Sequence, residues 1–356
     1  MIASEKNTFG DRLKSARKMQ GYSLQGLADA LEGKVTKQSL SKYEKGVMNP
    51  SGEVLMAIAS ALKVKPDYFL KKKQVQLGEV LFRKKARLSK KDEEAIVEQV
   101  RDYVERFLEV EFILGVKHSF INPLADLAIE QWEDVEEAAR LLRASWDLGS
   151  DPIPNLVEML ELHQIKVCLQ SVADEFDGLA VRSSEGVPIV AINTKNKPTE
   201  RLRFTIIHEL AHLLLQFSED IEKDEKLVEK YCHRFATCFL IPTENLLKLI
   251  GEHRSYIKIA ELISIKEYYG ISIRAIVYRL KDLGVISQNY YQRWMLYMNK
   301  EFGSKNEPGH YGGEEKPKLF NLLVNRALAE ELISMSKAAA LWNVSINQIR
   351  KGFGGV

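Results

Sequence analysis

Two histidines four residues apart, with a glutamate beside the first, lie inside the apolar run RFTIIHELAHLLL as His208, Glu209 and His212. On a helix these histidines stand one turn apart on the same face, so two imidazoles can take adjacent corners of a tetrahedral metal. Glu209 is displaced by about 100° around the axis. It can then stand beside an attacking water rather than on the metal, which is what a general base requires. The competing reading is a buried helix that happens to carry two histidines. Burying His208, Glu209 and His212 among Ile206, Ile207, Leu210, Leu213 and Leu214 is costly without strong partners, and a metal is such a partner. Zinc is the expected ion, with another divalent metal as the alternative.

A third ligand has to come from elsewhere. The segment DEKLVEKYCHRFATCFLIP has helical spacing and offers Glu225, Glu229, Cys232 and His233, with Glu222 just ahead of it. Glu229 follows His212 by 17 residues, which suits a helix returning antiparallel to the first, whereas Glu222 and Glu225 fall nearer the solvated turn. His233, four residues on and on the same face, either orients His208 or His212 or takes the place of Glu229 on the metal. Cys232 lies among Phe235, Ala236, Cys238 and Phe239, a setting that points to packing.

The elements that must hold these side chains are readable upstream. A helix, IPNLVEMLELH, precedes three strand-like runs, IKVCL, GLAVR and PIVAIN, and SSEGV between the last two is a hairpin signal. A small sheet therefore feeds the helix that starts after Pro198. GLAVR, placed at the sheet edge, would pair with an extended substrate chain. Over roughly residues 150–245 the run FDGLAVRSSEGVPIVAINTKNKPTERLRFTIIHELAHLLL, followed by EKYCHRFATCFLIP, resembles the ImmA/IrrE family of zinc-peptidase-like proteins. The resemblance implies His208, His212 and Glu229 as metal ligands, Glu209 as catalytic base, and water-driven amide hydrolysis. One departure stands out: His233 follows Cys232 where the family usually has Asn or Asp after a small residue. Arg203 is expected to be structural rather than an oxyanion stabiliser.

The N-terminal end differs in charge from the body. Residues 1–91 carry 20 Lys and Arg against 8 Asp and Glu, while the remainder carries 31 against 41. A basic module on an acidic body suits nucleic-acid binding at the basic end. Short amphipathic segments from Phe9 to Leu70 predict five helices, with Ser23 and Thr36 as N-caps of the second and third. Leu24, Leu27, Ala28 and Leu31 can face Leu40 and Tyr43 across a turn, as in a helix-turn-helix. The contacts to DNA are then expected from Gln25, Thr36, Lys37, Gln38, Ser39, Ser41 and Lys42, amides and hydroxyls for base edges and cations for phosphates. This region, roughly 7–70, resembles the Xre or phage-repressor-like family, which implies a homodimer on a palindromic double-stranded DNA operator.

Between the two modules the basic cluster Arg83, Lys84, Lys85 and Arg87 precedes a helix with apolar Ile96, Val100, Val104, Phe107 and Leu108. It reads as a linker or as a dimerisation element, and the cluster either extends the DNA contact or stays solvated. Toward the C-terminus, LISIKEYYGISIRAIVYRLKDLGVIS and LISMSKAAALWNVSINQIRKGF repeat a helix-turn-helix rhythm, more in keeping with packing scaffolds than with further DNA readers. The Gly/Pro-rich GSKNEPGHYGGEEKPK separates them, and its His310 is expected in solvent, with a lid over the metal site as the alternative.

These readings give an α+β, mostly α protein. Its expected parts are an N-terminal five-helix lambda-repressor-like domain over 7–72, a basic and helical linker over 73–120, a zincin-like domain with a small sheet and the HExxH helix over 121–250, and a helical C-terminal region over 251–356. Cys168, Cys232 and Cys238 form no disulfide framework, and neither a secretory signal nor a membrane span is legible, so a cytoplasmic protein is expected. The expected function is a transcriptional regulator whose peptidase cuts a repressor or another regulatory protein, or its own linker near residues 71–92. The alternative is a non-enzymatic antitoxin or repressor, partnered by a cognate toxin, in which the peptidase fold is a scaffold.

Overall fold

In the computed structural model of the protein the described residues are 8–71, 75–78, 81–84, 88–172, 174–304 and 306–353, with backbone alone for 81–84 and 350–353. The N-terminal unit consists of α1 (Thr8–Met19), α2 (Leu24–Ala30), α3 (Lys37–Glu44) and α4 (Gly52–Ala61). The fifth expected helix is a single 3-10 turn, Pro66–Leu70. Five residues opening on a proline are too few for an α-helical ladder. Hydroxyl caps start the others: Ser23 accepts from the Gly26 amide, Thr36 from Ser39 and Ser51 from Val54. Leu13, Leu27, Leu31, Leu40, Tyr43, Ile58 and Phe69 bury together, which is the packing expected across the α2–α3 turn, with Leu24 half-buried against it.

A short strand, β1 (Leu81–Lys84), and a long helix, α5 (Lys90–Ile113), follow. Ile96, Val100 and Val104 bury against the sheet, and Phe107 packs against the C-terminal helices. The apolar stripe considered for dimerisation is thus covered within the chain. The N-terminal unit docks on the same helix through the Arg12–Glu105 ion pair at 2.5 Å and the Gln99 amide on the Met19 carbonyl at 3.0 Å. Of the basic cluster, Lys85 and Arg87 lie outside the described residues, and Arg83 and Lys84 belong to β1.

Next come β2 (Ala128–Ile129), α6 (Asp134–Ser145), α7 (Leu156–Leu162), β3 (Lys166–Gln170), β4 (Phe176–Arg182), β5 (Pro188–Asn193), α8 (Thr199–Leu214), β6 (Gln216–Phe217), α9 (Glu219–Glu222), α10 (Glu225–Leu240) and α11 (Thr243–Ile250). The main sheet runs β1-β4-β5-β3, with β4 antiparallel to both neighbours and β3 parallel to β5. Strand alternation splits it into two faces. Leu179, Val181, Ile189 and Ala191 face α5, while Ala180, Val190 and Ile192 join the core that contains α8. GLAVR does not edge the sheet, contrary to expectation, because Leu81–Lys84 pairs along it. That partner sits in a basic, turn-flanked run whose alternation over four residues is too short to announce a strand.

The chain ends in α12 (Ile259–Tyr269), α13 (Ile273–Asp282), α14 (Gln288–Phe302), α15 (Leu319–Ala329), α16 (Met335–Leu341) and α17 (Ile346–Phe353). One core runs from Leu124 to Met298, so α12–α14 share it with α8 and α10. The arginines of α13 turn inward: Arg279 is buried against Glu136 and Thr243, and Arg274 donates to Gly303, Asn306 and Asn299. That helix packs rather than presenting cations to DNA.

Arg203 is fully buried. It donates to the carbonyls of Ile153, Gly270 and Tyr269 and pairs with Glu315. Gly270 is left-handed, with φ 64°, and a Cβ there would lie 2.5 Å from the Arg203 side chain. Glu315 in turn accepts from the Leu156 and Val157 amides at the start of α7. Arg203 is therefore structural, as expected, and it ties Glu315, in the 306–318 segment, to α7, α8 and the turn after α12. His310 in that segment is exposed, its amide donating to Glu267 on α12. Among the described residues no helix is long and apolar enough to cross a membrane.

Candidate metal centre and nucleic-acid interface

Helix α8 is amphipathic in an unusual sense: its buried length carries polar groups that point at α10. His208 Nε2 and His212 Nε2 are 3.1 Å apart, and Glu229 on α10 places one carboxylate oxygen 3.3 Å from the first and the other 3.1 Å from the second. Ligands at about 2.0–2.1 Å from a tetrahedral zinc stand roughly 3.3–3.4 Å from one another. The trio therefore has the spacing and the N, N, O donor set of a three-ligand zinc site. His208 is fully enclosed, while a third of the Glu229 side chain is exposed, so the centre opens on the α10 side. Burial alone would raise the Glu229 carboxyl. Hydrogen bonds and charge from His208 and His212 outweigh it and hold the group well below the usual carboxylate range.

His233 also belongs to the cluster: its ring lies 4.7 Å from that of His208 and 5.6 Å from Phe204, and donor atoms of His208, Glu229 and His233 fall within 4.8 Å of one another. His208, His212 and Glu229 lie within 3.3 Å of one another, and His233 stands with them as a further candidate donor.

Two neighbours were not foreseen as site residues. Cys232, fully buried, sets its sulfur 3.6 Å from Nδ1 of His212. In the tautomer in which Nδ1 donates to that sulfur, the Nε2 lone pair is left for a metal. Its apolar sequence neighbours pointed to packing alone. Gly178 on β4 is the other: a Cβ there would lie 2.9 Å from Cγ and from Oε1 of Glu209. Glu209 is almost wholly buried in that glycine notch. A glycine inside a strand is the available sequence signal for such a close approach.

At the N-terminal unit, Gln25, Thr36, Lys37, Gln38 and Lys42 are exposed, and Ser39 and Ser41 are half-buried. The structure brings Lys37, Gln38, Ser41 and Lys42 together on α3. Thr36 and Ser39 are engaged in the cap, their hydroxyls 3.0 Å apart, and Gln25 donates to Asp29. Lys45 and Val47, just beyond α3, are exposed as well and were not anticipated.

Comparison with known proteins matches two separate stretches of the chain. A helix-turn-helix family model covers residues 13–69, and the IrrE N-terminal-like domain of the M78 peptidase family covers 160–281, a span that contains His208, Glu209, His212 and Glu229. The chain is also 40% identical over 75 residues to the SPbeta prophage-derived uncharacterized HTH-type transcriptional regulator YonR of Bacillus subtilis (strain 168). That stretch is 20% of this chain and 68% of the relative. The chain thus belongs to the helix-turn-helix regulator family and carries, in the same polypeptide, an IrrE N-terminal-like domain of the M78 peptidase family.

Proposed function

We propose that this protein is a cytoplasmic transcriptional regulator that binds a double-stranded DNA operator as a homodimer through α3 and carries a zinc-dependent endopeptidase centre. Its substrate is a regulatory protein segment, from a repressor or from this chain's own linker. The observation that carries the reading is the 3.1–3.3 Å trio of His208, His212 and Glu229 with Glu209 seated alongside. Zinc held by that trio would polarise a scissile carbonyl and acidify water. Glu209 takes the proton of the attacking water and delivers it to the leaving amide nitrogen. Gly178 gives Glu209 its place, and Cys232 keeps His212 oriented.

The test is metal content by mass spectrometry on wild type, Glu229→Ala and Glu209→Gln. About one zinc per chain in wild type and Glu209→Gln, lost in Glu229→Ala, is the expected result. Carefully handled wild type without metal would leave the DNA-binding unit as the only functional site.

A second reading, a DNA-binding antitoxin or repressor whose peptidase fold is a scaffold for a cognate toxin, draws support from the covered edge of β4. Zinc-loaded wild type that cuts neither itself near residues 71–92 nor a partner regulator, with operator DNA present, favours it. A cut that Glu209→Gln abolishes excludes it.

A further inference from the structure

We propose that β1 is a built-in occupant of the sheet edge on which a substrate chain pairs, so that an extended protein segment reaches Glu209 only after β1 has left β4. The inference rests on the reading of Glu209 and the metal trio given above. It concerns what controls access to them and what kind of chain they accept.

The backbone register carries it. Leu81 stands opposite Ala180, Phe82 opposite Leu179, and Arg83 opposite Gly178, the residue at which a Cβ would meet Glu209. Pairing begins further upstream, where Leu77 bridges Ser183, the Gly78 amide donates to the Arg182 carbonyl at 2.8 Å, and the Ser184 amide donates to Gln76. The other edge of β4 is taken by β5. A second extended chain can therefore pair with β4 only by displacing β1. On the outer edge of β1 it would lie a further strand spacing, about 4.8 Å, from Glu209. The partner this edge selects is an extended segment that binds through its main chain, as the linker does.

The cover is built to be given up. The strand proper is four residues long, with a single bridge and two hydrogen bonds ahead of it, and its register breaks between Arg83 and Lys84, leaving Asp177 opposite no residue of β1. Asp177 is paired instead with Lys197 and Arg201. A short, bulged edge strand opens more readily than a long regular one. Its root is shared with the DNA-binding unit: one oxygen of Glu105 accepts from the Val75 amide at 3.3 Å, and the other holds Arg12 of α1 at 2.5 Å. Arg12 also donates to the Lys71 carbonyl. Seating of α1 on α5 and seating of the linker on β4 thus meet at one carboxylate.

The experiment uses the full chain loaded with zinc and a fluorescent peptide of residues 76–84, with affinity read by anisotropy and zinc by mass spectrometry. The double variant Phe82→Pro/Arg83→Pro removes two amide donors from β1. It should bind the peptide roughly tenfold or more tightly than wild type, because the competent fraction rises. Arg12→Met leaves β1 intact and loosens its root, and should tighten binding by a smaller factor, which keeps the test alive should the proline variant misfold. Equal affinity in wild type and both folded variants, each with about one zinc, overturns the cover and leaves the metal centre standing. Tighter binding in the variants with no zinc in any protein supports the cover and overturns the metal reading.

Discussion

Gly178 and Glu209 approach so closely that no side chain fits between them: a Cβ on Gly178 would lie 2.9 Å from two atoms of the glutamate. Gly178→Ala should therefore destabilise the fold by about 1–3 kcal/mol through overpacking while zinc content stays at that of wild type. Adding Glu209→Ala removes the group it strikes. Urea unfolding of the two singles and the double should give a coupling that recovers most of the loss, and additive effects would show that the two residues do not press on each other.

Cys232→Ala should lower zinc affinity roughly 10–100-fold, the usual consequence of losing the group that orients a ligand histidine. Chelator competition measures it. Cys232→Ser, which keeps an acceptor near Nδ1 of His212, should restore part of the loss, and equal affinity in all three proteins would make the sulfur a packing atom only.

Much of this site was legible because its signals are local. The i, i+4 spacing of His208 and His212 sets their common face, and the 17-residue interval to Glu229 is the length of a return along an antiparallel helix. The hydroxyl caps at Ser23 and Thr36 announced α2 and α3 in the same way. What stayed illegible depends on partners distant in the chain. β1 meets β4, and Arg203 meets Glu315, across about a hundred residues of sequence, and no periodicity within either segment encodes the other. Gly178 reads as an ordinary strand glycine until the helix beneath it is in place.

On α3, Gln38→Ala should relax sequence discrimination at one operator position by about 1–3 kcal/mol. Lys42→Ala should weaken binding uniformly across sequences and reduce the salt slope by about one. Both side chains are exposed. Titrations at several salt concentrations against specific and scrambled duplexes separate the two behaviours, and identical profiles for both variants would contradict the division of labour.

Glu136 links α6 to two buried arginines, with Arg279 at 2.7 Å, Arg234 beside it and the Thr243 hydroxyl at 2.6 Å. Burial raises its carboxyl, but the charges of Arg279 and Arg234 and the Thr243 hydrogen bond outweigh that and lower it below its ordinary 4.5. A depressed folded-state pKa stabilises the fold above the unfolded value, and the stabilisation is lost as pH falls through the folded one. Glu136→Gln should thus cost about 2–3 kcal/mol at pH 7, somewhat below the figure for breaking a wholly buried pair, since a quarter of the side chain is exposed. The deficit should shrink as pH drops below 4.5, followed by urea midpoints across the acid range. A constant deficit would place the loss in packing.

The position of β1 ahead of everything it covers matters during synthesis. Translation delivers Leu81–Lys84 before β4, and β4 before the helix that bears Glu209. Domains generally fold as they emerge, N-terminal first. The segment that closes the edge has therefore left the ribosome before the edge exists. A newly made chain therefore has Leu81–Lys84 available to pair with β4 as soon as that strand forms, before the helix that bears Glu209 is complete.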